Sequence, residues 1–180
     1  MNRGGSMATT FTVWADGRLD LGATRVRCAL GPGGIVAAAD KREGDGATPA
    51  GLWPLRSLLY RADRLARPQS GLETRALRPD DGWCDAPDDA HYNRAVTWPY
   101  PAGAEHLWRE DGVYDLIVPL GYNDDPVIPG AGSAIFLHLA REDYAPTQGC
   151  VALAKDDLLT LLAGATPGDA LRIVADRSAG

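Results

Sequence analysis

His138 and Cys150 stand twelve positions apart in the stretch AIFLHLAREDYAPTQGCVAL, residues 134–153. A thiol attacks a carbonyl as its thiolate, so it needs a base or a positive environment beside it. A histidine fixed on a strand, facing a cysteine delivered by the following loop, supplies that base. Gly149 directly before the cysteine lets the backbone come close and turn N–H groups toward a developing oxyanion. The chemistry these residues point to is acyl transfer through a thioester. Taken singly, a cysteine after glycine is more often a small buried residue, and a strand-end histidine is more often structural. The combination, taken together with the further motifs described below, favours the catalytic reading.

Around this pair, Thr147 and Gln148 complete the candidate substrate-contacting set with Arg94, Tyr122 and Arg141. Arg94, in His91-Tyr92-Asn93-Arg94, suits a planar carboxylate, with plain surface solvation as its alternative. Tyr122 and Arg141 flank the expected groove. Trp83, Trp98 and Trp108 are read as core or lid packing before any glycan-facing role. His91 and His106 are read as non-catalytic and Cys84 as a plain loop thiol. Asp85, Asp88 and Asp89 read as a solvated acidic turn. Nothing selects the two positioned acids that a glycosidase needs.

These residues sit in a chain of 180 residues, long enough for one domain with a real core. Its 45% hydrophobic and 23% charged residues are those of an ordinary globular protein. The net charge is −6, and no basic stripe runs through the chain, which argues against a nucleic-acid partner. Three cysteines, an odd number, leave at least one thiol free. No CxxC pair or zinc-like His spacing accompanies them, so no metal and no cofactor is expected. No apolar run reaches the roughly 18 residues of a membrane span. Residues 1–7 are polar, with no apolar core of a secretory leader. They are expected to be disordered or vector-derived, ahead of a single domain over 8–180.

The elements that must position the pair are short and β-rich. Residues 11–15 run into Asp16-Gly17, a strong hairpin dipeptide. Residues 18–21 and 25–30 alternate polar with apolar. Gly31-Pro32-Gly33-Gly34 turns the chain and 35–39 return, which predicts an antiparallel meander. Residues 41–51 (KREGDGATPAG) are predicted as a polar loop and 52–60 as a strand. Prolines at 68, 79, 87, 99 and 101 break the stretch 61–112. It is expected to be an irregular insertion or lid, with a helical turn at 105–109. Residues 113–120 read as a strand, 123–133 as a loop, and 134–139 as a buried strand with His138 at its end. The loop 141–149 then delivers Cys150. Residues 155–163 read as a helix with Leu158, Leu159, Leu161 and Leu162 on its apolar face, acids in its first turn and Gly164 as its stop. Residues 170–175 close as a strand.

Thr147-Gln148-Gly149-Cys150-Val151 resembles the signature of the L,D-transpeptidase (YkuD-like) family: Ser or Thr, any residue, Gly, Cys, then an aliphatic residue. His138 matches the family's upstream histidine. Thr48-Pro49-Ala50-Gly51 looks like its Thr-Pro-x-Gly element, on an early loop. The run from Pro129 to His138 (PGAGSAIFLH) is similar to one bacterial subgroup, and the late helix and final strand follow in the family's order. The resemblance covers residues 10–176. It implies a mostly β fold, mixed with one or two helices, of the YkuD-like sandwich or barrel type. It implies that Cys150 attacks a peptide carbonyl in a peptidoglycan stem while His138, oriented by the Leu139 carbonyl, moves the proton. Backbone N–H groups around Gln148 to Cys150, Gly149 among them, would hold the oxyanion. An acceptor amine would resolve the thioester into a cross-link. Hydrolysis of stem peptides, a cross-link at an atypical position and a non-catalytic wall-binding module are the alternatives. Acylation of Cys150 by carbapenem β-lactams and a periplasmic or cell-wall location are also implied. Three departures stand out: a short His-to-Cys loop, Leu139 where many members have Gly, and Ala152 where many have Arg.

Overall fold

The computed structural model describes residues 8–176 and Ser178, so the expected leader at 1–7 lies outside the described residues. The first three strands, β1 (Thr10–Trp14), β2 (Arg18–Asp20) and β3 (Arg25–Ala29), form the predicted meander. Phe11, Val13 and Leu19 alternate inward and are buried, as the period of two requires.

The meander stops there. Strand β4 (Ile35–Ala37) does not return onto β3 but pairs in parallel with β5 (Thr48–Pro54). The reason is that both edges of β3 are occupied, one by β2 and the other by β13 (Val151–Leu153). The predicted loop 41–51 is corrected at its end: Thr48-Pro49-Ala50-Gly51 lies in β5, not on a loop. The predicted strand 52–60 is likewise two strands, β5 and β6 (Leu58–Tyr60). Between them Leu55 makes only an isolated bridge to Leu120.

Residues 61–112 are more regular than expected. They contain β7 (Thr74–Ala76), β8 (Asp81–Cys84), β9 (Ala95–Thr97) and β10 (Ala104–His106). The last three form a sheet of order β10-β8-β9. The expected helical turn at 105–109 is absent because Glu105 is in ladder register with Trp83. This is a long-range pairing that local pattern does not reveal. Cys84 ends β8 and is buried, not in a loop.

Strands β11 (Leu116–Pro119), β12 (Phe136–Leu139) and β14 (Ala170–Val174) complete a mixed eleven-stranded sheet of order β4-β5-β14-β1-β2-β3-β13-β12-β11-β6-β7. Helix α1 (Lys155–Gly164) buries Leu158, Leu161 and Leu162 on the main core. Gly164 stays inside the helix. The extended Ala165 ends it, its N–H reaching Leu162 O at 3.1 Å. Among the described residues the fold is thus mostly β with a large mixed sheet and one helix, consistent with a YkuD-like β-sandwich.

Alternation along β12 sets the site. Leu137 and Leu139 enter the main core, while Phe136 joins a second cluster with Tyr114, Ile117 and Cys150. His138, two residues on from Phe136, points to that same second side. Both faces of β12 are covered, so FLHL reads as a continuous buried run.

Candidate active site

Cys150 enters the site at the end of a loop whose path only glycine permits. Gly149 has φ +120°, and a Cβ there would lie 2.6 Å from Ala47 O. Thr147 fastens the loop from both ends: its N–H donates to Leu30 O at 3.1 Å, and its hydroxyl donates to Cys150 O at 2.7 Å. The same hydroxyl oxygen accepts the Gly149 N–H at 3.2 Å. The Gly149 amide is therefore occupied. The Gln148 and Cys150 amides have no hydrogen-bond acceptor among the described residues.

The thiol donates to Ala134 O at 3.1 Å, and the Phe136 N–H donates to Sγ at 3.4 Å. Its hydrogen thus goes to a carbonyl, not to His138. His138 Nδ1 lies 2.9 Å from Leu139 O. A carbonyl can only accept, so Nδ1 carries the hydrogen and Nε2 the lone pair. His138 is in register with Ala152, two residues after Cys150, through the parallel β12–β13 pairing. The Tyr114 ring meets the imidazole edge-on with centroids 5.2 Å apart.

Burial governs the ionisation of both groups. Desolvation pushes the Cys150 thiol up to about 12, with the Glu105 charge adding to it and the Phe136 N–H opposing it. Desolvation also pulls His138 down to about 4, against the supporting Leu139 carbonyl. The site therefore holds a neutral thiol and a neutral imidazole, not an ion pair.

A cavity of about 340 Å³ opens onto this pair. Of the residues expected from sequence, Cys150, His138, Leu139, Thr147, Gln148 and Arg141 line it together. Two do not. Tyr122 is buried in the main core, its ring edge-on to Trp53 and its hydroxyl donating to Ala131 O at 2.6 Å. Arg94 donates to Asp124 O at 2.5 Å and lines a separate cavity of about 300 Å³ with Arg56 and Arg75. The tryptophans are packing residues: Trp83 is edge-on to Phe136, Trp98 stacks on His106, and Trp108 lies under Arg61.

Sequence reasoning missed the acidic side of the cavity: Glu43, Asp85 and Glu105. Asp85 belonged to a run read as solvated, and Glu105 to an expected helical turn. It also missed Asn93, which has φ +55° and is buried. Its Oδ1 accepts from the Ala134 N–H at 3.0 Å and from Trp83 Nε1 at 2.9 Å. Its Nδ2 donates to Tyr122 O and Asn123 O at 3.1 and 2.8 Å. This side chain thereby fixes the residue whose carbonyl holds the thiol.

The family model for the L,D-transpeptidase catalytic domain matches residues 6–174, nearly the whole chain. No curated protein and no solved structure matches it. Among the described residues no helix is long and apolar enough to cross a membrane.

Proposed function

The chain belongs to the L,D-transpeptidase catalytic domain family, and from that premise we propose that it cross-links peptidoglycan stem peptides through a thioester on Cys150. The observation that carries this reading is the pair itself. Cys150 and His138 line one cavity, and the Leu139 carbonyl fixes the imidazole tautomer that leaves Nε2 free to take a proton.

In the first step the Cys150 sulfur bonds to the scissile carbonyl carbon and its hydrogen passes to His138 Nε2. The C–N bond then breaks, and His138 returns that proton to the leaving amine. Because burial keeps both groups neutral at rest, the proton moves together with C–S bond formation rather than before it. The thiol first turns from Ala134 O toward His138, a rotation about χ1. The Gln148 and Cys150 amides, which lack acceptors, are the donors left for the oxyanion; Gly149 contributes its backbone path. In the second step an acceptor amine bonds to the carbonyl carbon and the C–S bond breaks. One amine proton returns through His138 to the sulfur. Arg141 and Gln148 contact the stem at the cavity wall. Ala152 lines the cavity where many relatives carry Arg, which opens that wall to a donor stem of different shape. The activity belongs in the periplasm or cell wall, and carbapenems acylate Cys150 by the same attack.

The test is incubation of wild type and Cys150→Ala with purified tetrapeptide and tripeptide muropeptides, read by mass spectrometry. Cross-linked dimers from wild type alone are expected, and their fragmentation identifies the stem position joined. Shortened monomers alone would make the protein a stem-peptide hydrolase. No Cys150-dependent product would leave a non-catalytic wall-binding module.

A further inference from the structure

The Cys150 cavity carries more anionic than cationic charge, and Arg109 acts on Glu105 only at a distance, with no direct ion pair between them. Its two cations are both engaged by Asp111: Arg109 forks onto that carboxylate at 3.0 and 2.6 Å, and Arg141 reaches it at 3.1 Å. Glu43, Asp85 and Glu105 line the same cavity, and none forms an ion pair among the described residues. Nor do they gather into a metal-ligand set among those residues. Glu43 spends its Oε2 on the hydroxyls of Tyr92 and Ser133. Glu105 is different. Its Oε1 accepts from the Tyr114 hydroxyl at 2.6 Å, and its Oε2 has no donor among the described residues.

Resting on the function proposed above, we propose that Glu105 receives the ammonium group of the amine acceptor and so steers the thioester toward aminolysis rather than hydrolysis. An ammonium brings three donors and a positive charge, matching the open oxygen and the unpaired neighbours Glu43 and Asp85. Water and neutral nucleophiles gain nothing from that charge. Burial already pushes the Glu105 carboxyl up, and an incoming cation relieves that penalty. Tyr114 fixes the rotamer of Glu105 while its ring packs on His138, so the acceptor is received beside the imidazole. The ammonium loses one proton to solvent; the resulting amine bonds to the carbonyl carbon as the C–S bond breaks, and its second proton passes through His138 to the sulfur.

The test compares two nitrogen nucleophiles on one acyl donor. A tetrapeptide muropeptide acylates the enzyme. A tripeptide muropeptide with its diaminopimelate amine, or hydroxylamine, which is uncharged at neutral pH, then resolves the thioester. Glu105→Gln retains the acceptor for Tyr114 but loses the charge. It is expected to lower transfer to the muropeptide amine about tenfold relative to transfer to hydroxylamine, through KM for the amine. Glu105→Asp, which keeps the charge, is expected to recover part of that preference. An equal fall for both nucleophiles, or transfer to both unaltered in Glu105→Gln, overturns the assignment while leaving the transpeptidase reading in place. Absence of any Cys150-dependent acyl-enzyme in wild type overturns that reading and this one with it.

Discussion

Replacing His138 by Asn should make the protein less sensitive to acid, although it removes the proposed base. The Asn amide Nδ2 can donate to Leu139 O where His138 Nδ1 does so now at 2.9 Å, so the strand keeps its local hydrogen bond. The difference lies in titration. Burial holds His138 at about 4 in the folded protein, whereas an unfolded histidine titrates near 6.5. Between these values the unfolded chain binds a proton that the native state does not. The sign follows: stability rises with pH across the window and is lost as pH falls from about 6.5 to about 4. A gap of some 2.5 pKa units corresponds to about 3 kcal/mol of linked stability. With a urea m-value of roughly 2 kcal/mol/M, the wild-type midpoint should fall by about 1.5 M more than that of His138→Asn over the same window. Urea melts at half-unit pH steps from 7 to 4 measure this directly. The ion-paired carboxylates titrate alike in both proteins and drop out of the difference. Parallel loss of stability in the two proteins would refute the buried, neutral imidazole and with it the neutral resting pair.

Two further outcomes follow from the site's geometry. With its ionisation pushed up to about 12 by burial, the native Cys150 thiol should alkylate with iodoacetamide at neutral pH roughly a thousandfold more slowly than an unhindered cysteine. Peptide mapping before and after urea unfolding reads this at each of the three cysteines, and rapid native labelling of Cys150 would mean that the thiolate pre-exists. Gly149→Ala should destabilise by about 3 kcal/mol, since φ +120° is strained for alanine and its Cβ would stand 2.6 Å from Ala47 O. A change in thermal midpoint near zero would contradict the backbone path described for the loop.

The local sequence determined more of the chemistry than of the architecture. The pair itself was legible because each half carries a short-range signal: a β-rich apolar run around His138, and a Thr-x-Gly-Cys loop whose glycine is forced by a positive φ. The first meander and the late helix were legible for the same reason, since Asp16-Gly17 and the leucines of residues 158–162 act within a few positions of one another. Tertiary structure decided what depends on distant partners. Strand β4 left the meander because β13 had taken the edge of β3, and Glu105 became a strand residue because Trp83 pairs with it from more than twenty positions away. Tyr122 and Arg94, plausible by residue type, were drawn elsewhere by the core and by the Asp124 carbonyl. The acidic wall, the Asn93 clamp and the neutral state of the thiol and imidazole were invisible for one physical reason. Each is set by which surfaces exclude water and which groups face each other across the fold, and neither is encoded in the spacing of residues along the chain.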